Sequence, residues 1–162
     1  MSSRYEINIE PWSDELWQEV QALAEAHFEE VDGDVEPNRK FDIDKDLMKL
    51  IQDAGVLRIF TARIKDRLVG YYTWNVHLDV ESKGLLIALM GAWYVAPGHP
   101  RAAFDMFQVS RDHLAQEGVK CLFPHHREQG RGANIGRFFE RQGAKLTQRT
   151  YTLWIGEDHA EH

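Results

Sequence analysis

The sequence predicts an α/β fold of the α+β kind, with a mixed, mainly antiparallel central sheet flanked by helices on both faces. Three observations carry this. Residues 56–64, 68–77 and 85–95 are apolar, β-branched and aromatic, and short polar connections join them as antiparallel hairpins. Segments with helical spacing stand before and after them. The third strand has almost no polar position, so both of its faces are covered.

At 162 residues, 43% of them apolar and 28% charged, the chain has the size and composition of one packed domain, expected over 1–156 with a polar tail at 157–162. The longest apolar run, 84–95, is shorter than the roughly 20 residues a membrane-crossing helix needs, so no membrane partner is expected. Residues 1–10 hold no basic region followed by an apolar stretch, and a cytoplasmic location is expected. Cys121 is the one cysteine; it cannot form an intrachain disulfide and is read first as a small core residue. A net charge of −7 argues against nucleic acid and tilts mildly toward a basic acceptor such as an amine. The 8 histidines show no zinc-type helical spacing, so no metal is expected.

In order along the chain, Tyr5, Ile7 and Ile9 alternate as a first strand that Pro11 ends. Ser13 stands as an N-cap, and Leu16, Val20, Leu23, Ala24 and Phe28 give a helix running to about Glu30. Residues 31–40, with Gly33, Pro37 and Asn38, form a loop and a candidate lid. Ile43, Leu47, Leu50 and Ile51 mark a second helix stopped by Gly55. After the three strands, 96–100 breaks the sheet, and a helix follows over 101–117 until Gly118. Residues 119–124 read as a strand, 130–134 as a flexible turn, and 135–142 as a short helix that Gly143 ends. Residues 144–155 alternate as a final strand.

This order resembles the GNAT superfamily of acyl-CoA N-acyltransferases over nearly the whole chain. The likeness is carried by Trp93, Tyr94, Val95, Ala96, Pro97, Gly98, His99, Pro100 and Arg101 before the third helix, and by Arg137, Phe138, Phe139, Glu140, Arg141, Gln142 and Gly143 in the fourth. The resemblance implies acetyl-CoA as cosubstrate, its pantetheine arm on the exposed backbone of a splayed strand at Trp93, Tyr94 and Val95. Its pyrophosphate would lie at the helix start formed by Arg101, Ala102, Ala103 and Phe104. A helix N-terminus suits phosphate because its N–H groups are unpaired and partly positive. Taken alone, the loop reads equally as a plain strand-to-helix turn. The pyrophosphate loop departs from the family's glycine-rich pattern, and Asp105 adds negative charge there. Asn134 is a further cofactor contact implied by the resemblance. Phe139 stands at the best match to a family tyrosine that protonates the leaving thiolate, and a phenyl ring has no such proton.

Acyl transfer to an amine needs a base for the ammonium proton and a polarised thioester carbonyl. Backbone N–H groups near Tyr94 are candidates for the second task. His27 and Glu30 lie three apart, on one helix face, and are candidates for the first, against the plainer reading of a solvated helix end. His77, at the end of a central strand, is another candidate base or a surface histidine. His125 and His126 follow the fifth strand as alternatives. Tyr71, Tyr72, Trp74, Trp93 and Tyr94 are read mainly as core, with some lining an acceptor pocket.

The expected function is N-acetyl transfer from acetyl-CoA to a primary amine of a small molecule or protein, by direct attack in a ternary complex. The rival is a catalytically inactive binding module of the same fold that acts on a partner protein. A homodimer is the common outcome for small soluble enzymes.

Overall fold

Alternation and β-branched composition place the strands side by side in one five-stranded sheet whose order follows the chain. β1 (Glu6–Ile9), β2 (Leu57–Ile64), β3 (Arg67–Leu78) and β4 (Leu86–Val95) pair antiparallel in succession, and the short β5 (Cys121–Phe123) runs parallel to β4. Between β1 and β2 lie α1 (Asp14–Val31) and α2 (Lys45–Asp53); α3 (Pro100–Gln116) links the parallel pair, and α4 (Ile135–Arg141) follows β5. This computed structural model describes residues 4–31, 39–127 and 134–155. The 130–134 turn up to Asn134, most of the 31–40 loop and the 157–162 tail lie outside them.

The expected Ser13 cap forms, Oγ accepting from Leu16 N at 3.0 Å, and α2 has a cap the sequence reading did not name, the Asp44 carboxylate accepting from Leu47 N at 2.9 Å. Gly118 and Gly143 end α3 and α4 at φ 95° and 90°, a conformation open to glycine at little cost. Lys65 and Asp66 turn the β2–β3 hairpin with both φ values positive, the twist a two-residue hairpin requires.

Two apolar layers flank the sheet. On one face Phe60, Tyr72, Trp74, Ala88 and Met90 pack against Met106, Phe107 and Leu114 of α3 and Phe139 of α4. On the other, Leu57, Ile59, Tyr71 and Tyr94 pack against Leu16, Trp17, Val20 and Ala24 of α1. α2 covers its share of that face with Met48 and Ile51, while Leu47 and Leu50, expected on its apolar face, stay exposed. No helix among the described residues is long and apolar enough to cross a membrane.

One expected element is corrected. Residues 144–155 form no strand, and Leu146, Tyr151, Leu153 and Ile155 remain exposed. An extended segment has no internal hydrogen bonds, so alternation produces a strand only where a sheet edge accepts it. Among the described residues no strand of the sheet pairs with this segment.

Candidate active site: a gap in the sheet beside Tyr94

The pairing of β4 changes halfway along. Ile87, Ala88 and Leu89 pair with Cys121, Leu122 and Phe123, and β5 ends there. Among the described strands the rest of β4 pairs only with β3, as far as a bond from Ala96 N to Val69 O at 2.8 Å. A bulge sits where the two strands part. Trp74 faces Met90 and Tyr72 faces Trp93, so Gly91 and Ala92 together oppose the single residue Thr73. Thr73 Oγ1 accepts from Ala92 N at 2.7 Å, which satisfies the amide that the bulge removes from the ladder. Position 91 has no room for a side chain, because a Cβ there would collide with Thr73 Oγ1. A bulge bends its strand and raises the twist, so this one directs Trp93, Tyr94 and Val95 away from the line of β5. Among the described residues, no strand pairs with the main chain of Trp93, Tyr94 and Val95 on the side away from β3.

Past the gap, Gly98 turns the chain at φ 88° into α3. The His99 ring is held at 3.2 Å by the Tyr5 hydroxyl and does not cap the helix. Pro100, at the helix start, has no N–H, and Ala102 N bonds back to His99 O at 3.0 Å. The amides of Gly98, His99 and Arg101 have no hydrogen-bond partner among the described residues. Successive unpaired amides at a turn and helix start suit an anion. Ala102 is fully buried and Ala103 half-buried, so neither projects bulk into the turn. Arg101 Nε donates to the buried carboxylate of Asp105 at 2.8 Å, its guanidinium lies 4.8 Å from the Phe104 ring centre, and its side chain is 67% exposed. Asp105 is thus paired with Arg101, the cation that the resemblance assigns to phosphate. The residues present fit a diphosphate, with amides as the main donors and Arg101 partly committed elsewhere.

On the opposite face of β4, the sequence-predicted His27 and Glu30 come together with Tyr94. Register sets Tyr94 across from Tyr71. The His27 ring stacks on Tyr94 with centroids 5.0 Å apart, and its Nδ1 lies 2.8 Å from the Tyr71 hydroxyl. The Tyr94 hydroxyl donates to Glu30 Oε2 at 3.4 Å, a long bond. Burial, and then the neighbouring Tyr94, push the Tyr71 phenol well up, so it stays protonated at any working pH. His27 is half-buried and Glu30 exposed.

The remaining candidates sit elsewhere. His77 is six residues beyond Tyr71, about 20 Å along an extended strand, and its Nδ1 lies 3.0 Å from Leu78 O. His126 Nδ1 lies 3.0 Å from Arg127 O, and the ring crowds Gly136 of α4; His125 is exposed. Asn134 precedes α4 without a side-chain capping bond. Phe139 is buried against Trp93 and Phe107, so its position is core and supplies no proton. Trp93 itself stacks on Tyr72 at 5.0 Å, which anchors its side chain while its main chain borders the gap. No group of three metal-ligating side chains occurs among the described residues.

Sequence reasoning missed the bulge, the Thr73 bond and the part Tyr71 plays. Gly91 inside an otherwise bulky strand was the available signal for the first two.

No protein-family model matches the chain, and no curated protein matches its sequence. Solved structures do. An aminoglycoside acetyltransferase from an uncultured soil metagenomic sample superposes with a TM-score of 0.73 at 14% identity, covering 96% of this chain and 100% of that one. The ribosomal-protein-alanine N-acetyltransferase of Brucella melitensis biovar Abortus 2308 gives 0.66 at 16%, covering 94% and 99%. AAC(6')-Iy, in complex with the bisubstrate analogue CoA-S-monomethyl-acetylneamine, gives 0.64 at 11%, covering 93% and 99%. The bulged, half-paired β4, its crossover helix and these superpositions together show that the chain has the fold of the GNAT acetyltransferases.

Proposed function

We propose that the protein is an N-acetyltransferase that takes an acetyl group from acetyl-CoA and passes it to a primary amine. The observation that carries this reading is the opening of β4 away from β5 directly beside the His27, Tyr71, Tyr94 and Glu30 cluster. In this reading the main chain of Trp93, Tyr94 and Val95 holds the pantetheine arm, and the amides of Gly98, His99 and Arg101 hold the diphosphate. A backbone N–H near Tyr94 polarises the thioester carbonyl.

His27 takes the proton from the acceptor ammonium. With Nδ1–H donating to the Tyr71 oxygen, the lone pair sits on Nε2, and the ring is fixed against Tyr94. Glu30 supplies negative charge that favours a cationic acceptor. The amine nitrogen then bonds to the carbonyl carbon as the carbon–sulfur bond breaks, in one ternary complex. Since Phe139 has no proton to give, the leaving thiolate takes one from solvent or the second proton from the nitrogen, cationic once it has bonded to the carbonyl carbon. AAC(6')-Iy binds a CoA-based bisubstrate analogue on this fold, which supports use of a CoA thioester here. The acceptor class, a small polyamine or aminoglycoside or a protein amine, is a matter for assay.

The test is thiol release from acetyl-CoA by the full chain, measured across small amines and peptide N-termini. Release should depend on the acceptor and fall about 100-fold in His27→Ala, the scale of a lost general base. A wild-type protein inert toward both classes contradicts the proposal.

A further inference from the structure

The acetyl-CoA of the proposed reaction carries two phosphate groups to be balanced: the diphosphate, and on its ribose a separate 3'-phosphate monoester of about two negative charges. The amides of Gly98, His99 and Arg101 serve the first. Arg101 itself is taken up by Asp105, whose buried carboxylate it meets at 2.8 Å. The second group needs another cation.

One reaches the same turn from the start of the chain. Arg4 Nη2 donates to the Tyr5 hydroxyl at 2.7 Å, and the guanidinium lies 5.0 Å from the centre of the Tyr5 ring. That hydroxyl is 3.2 Å from His99 Nδ1, and the Tyr5 and His99 rings meet edge to face at 5.9 Å. Arg4 therefore stands no more than two hydrogen-bond lengths from the His99 ring. It meets the side chain of His99 and not its main chain, so it is offset by one side chain from the amides that take the diphosphate.

The way Arg4 is held matters as much as its place. Tyr5 is 5% exposed and fixed in the core beneath α3, whereas Arg4 is exposed. Arg58, Arg63 and Arg101 each pair with a carboxylate, and Arg4 forms no such ion pair among the described residues. A neutral hydroxyl fixes a guanidinium without cancelling its charge. The donors that remain on the planar fork suit two oxygens of one phosphate.

We infer that Arg4 binds the 3'-phosphate of acetyl-CoA and so makes the protein select the 3'-phosphorylated cofactor over its dephospho form. This rests on the proposed seat of the diphosphate at Gly98, His99 and Arg101. Tyr5, in contact with both Arg4 and His99, sets the spacing of the two phosphate subsites.

The test is calorimetric titration of the full chain with CoA and with 3'-dephospho-CoA, for the wild type, Arg4→Ala and Arg4→Lys. The wild type should bind CoA about tenfold more tightly than the dephospho form, the scale of one charge-assisted hydrogen bond. Arg4→Ala should lose that preference by weakening CoA alone. Arg4→Lys, which keeps the charge but not the fork, should keep part of it. A wild type that binds both forms equally overturns the inference and leaves the proposed function standing. A preference that survives in Arg4→Ala overturns it too, as does an equal loss of affinity for both forms. A wild type that binds neither form overturns the inference together with the cofactor reading beneath it.

Discussion

Glu117 fastens the end of α3 to the start of β2. Its carboxylate accepts from Arg58 at 3.0 Å and lies 2.7 Å from His113 Nε2. Burial raises its pKa, but the hydrogen bonds from Arg58 and His113 outweigh this and hold it below the ordinary carboxylate value. A depressed folded-state pKa stabilises the fold above the unfolded value, and that contribution is lost as pH falls through the folded value. Glu117→Gln should therefore cost on the order of 1 kcal/mol near neutrality, since the group is partly exposed. The loss should fade in acid, once the pH lies below the folded value and both proteins carry a neutral group. Thermal melts of both proteins at the two pH values check it, and an undiminished difference at low pH would contradict it. At this scale the sequence was partly readable. Helical spacing alone put His27 and Glu30 on one face. The bond from His27 to Tyr71 was not readable, because it depends on which residue of β3 the register sets beside Tyr94.

The strands and helices follow from local signals, and their caps appear where Ser13, Gly118 and Gly143 placed them. Their pairing is another matter. The bulge at Gly91 and Ala92 is a difference of one residue between two strands, and neither strand's own pattern contains it. It nevertheless decides where β4 leaves β5. Gly91→Val would drive a side chain into Thr73 Oγ1 and displace the hydroxyl from Ala92 N. The expected cost is about 1–3 kcal/mol of stability, with weaker acetyl-CoA binding in the fraction that folds. Denaturant melts and calorimetric titration measure the two effects. Unchanged stability and affinity would show that the bulge tolerates a side chain. The segment 144–155 illustrates the converse limit. Its alternation is that of a strand, but a strand exists only with an edge to join.

Two helical layers on a sheet that parts at one point leave a single stretch of β4 whose main chain is bound on only one side by a strand. The helix layer on one side brings the uncapped start of α3, and the layer on the other brings His27 and Glu30. The start of α3, the stretch 93–95 of β4 and the His27, Tyr71 and Glu30 side chains thus lie around Tyr94, although the residues come from four separate parts of the chain. The fold was legible in the sequence because element order survives where individual residues depart from the family's pattern, as Asp105 of α3 and Phe139 of α4 do here. The sharpest test of the whole arrangement is an amide-resolved NMR titration of the full chain with acetyl-CoA. Resonances of Trp93, Tyr94 and Val95 and of Gly98, His99 and Arg101 should shift together along one binding curve. Saturating cofactor that leaves these amides unmoved, or moves only amides elsewhere, would contradict the account.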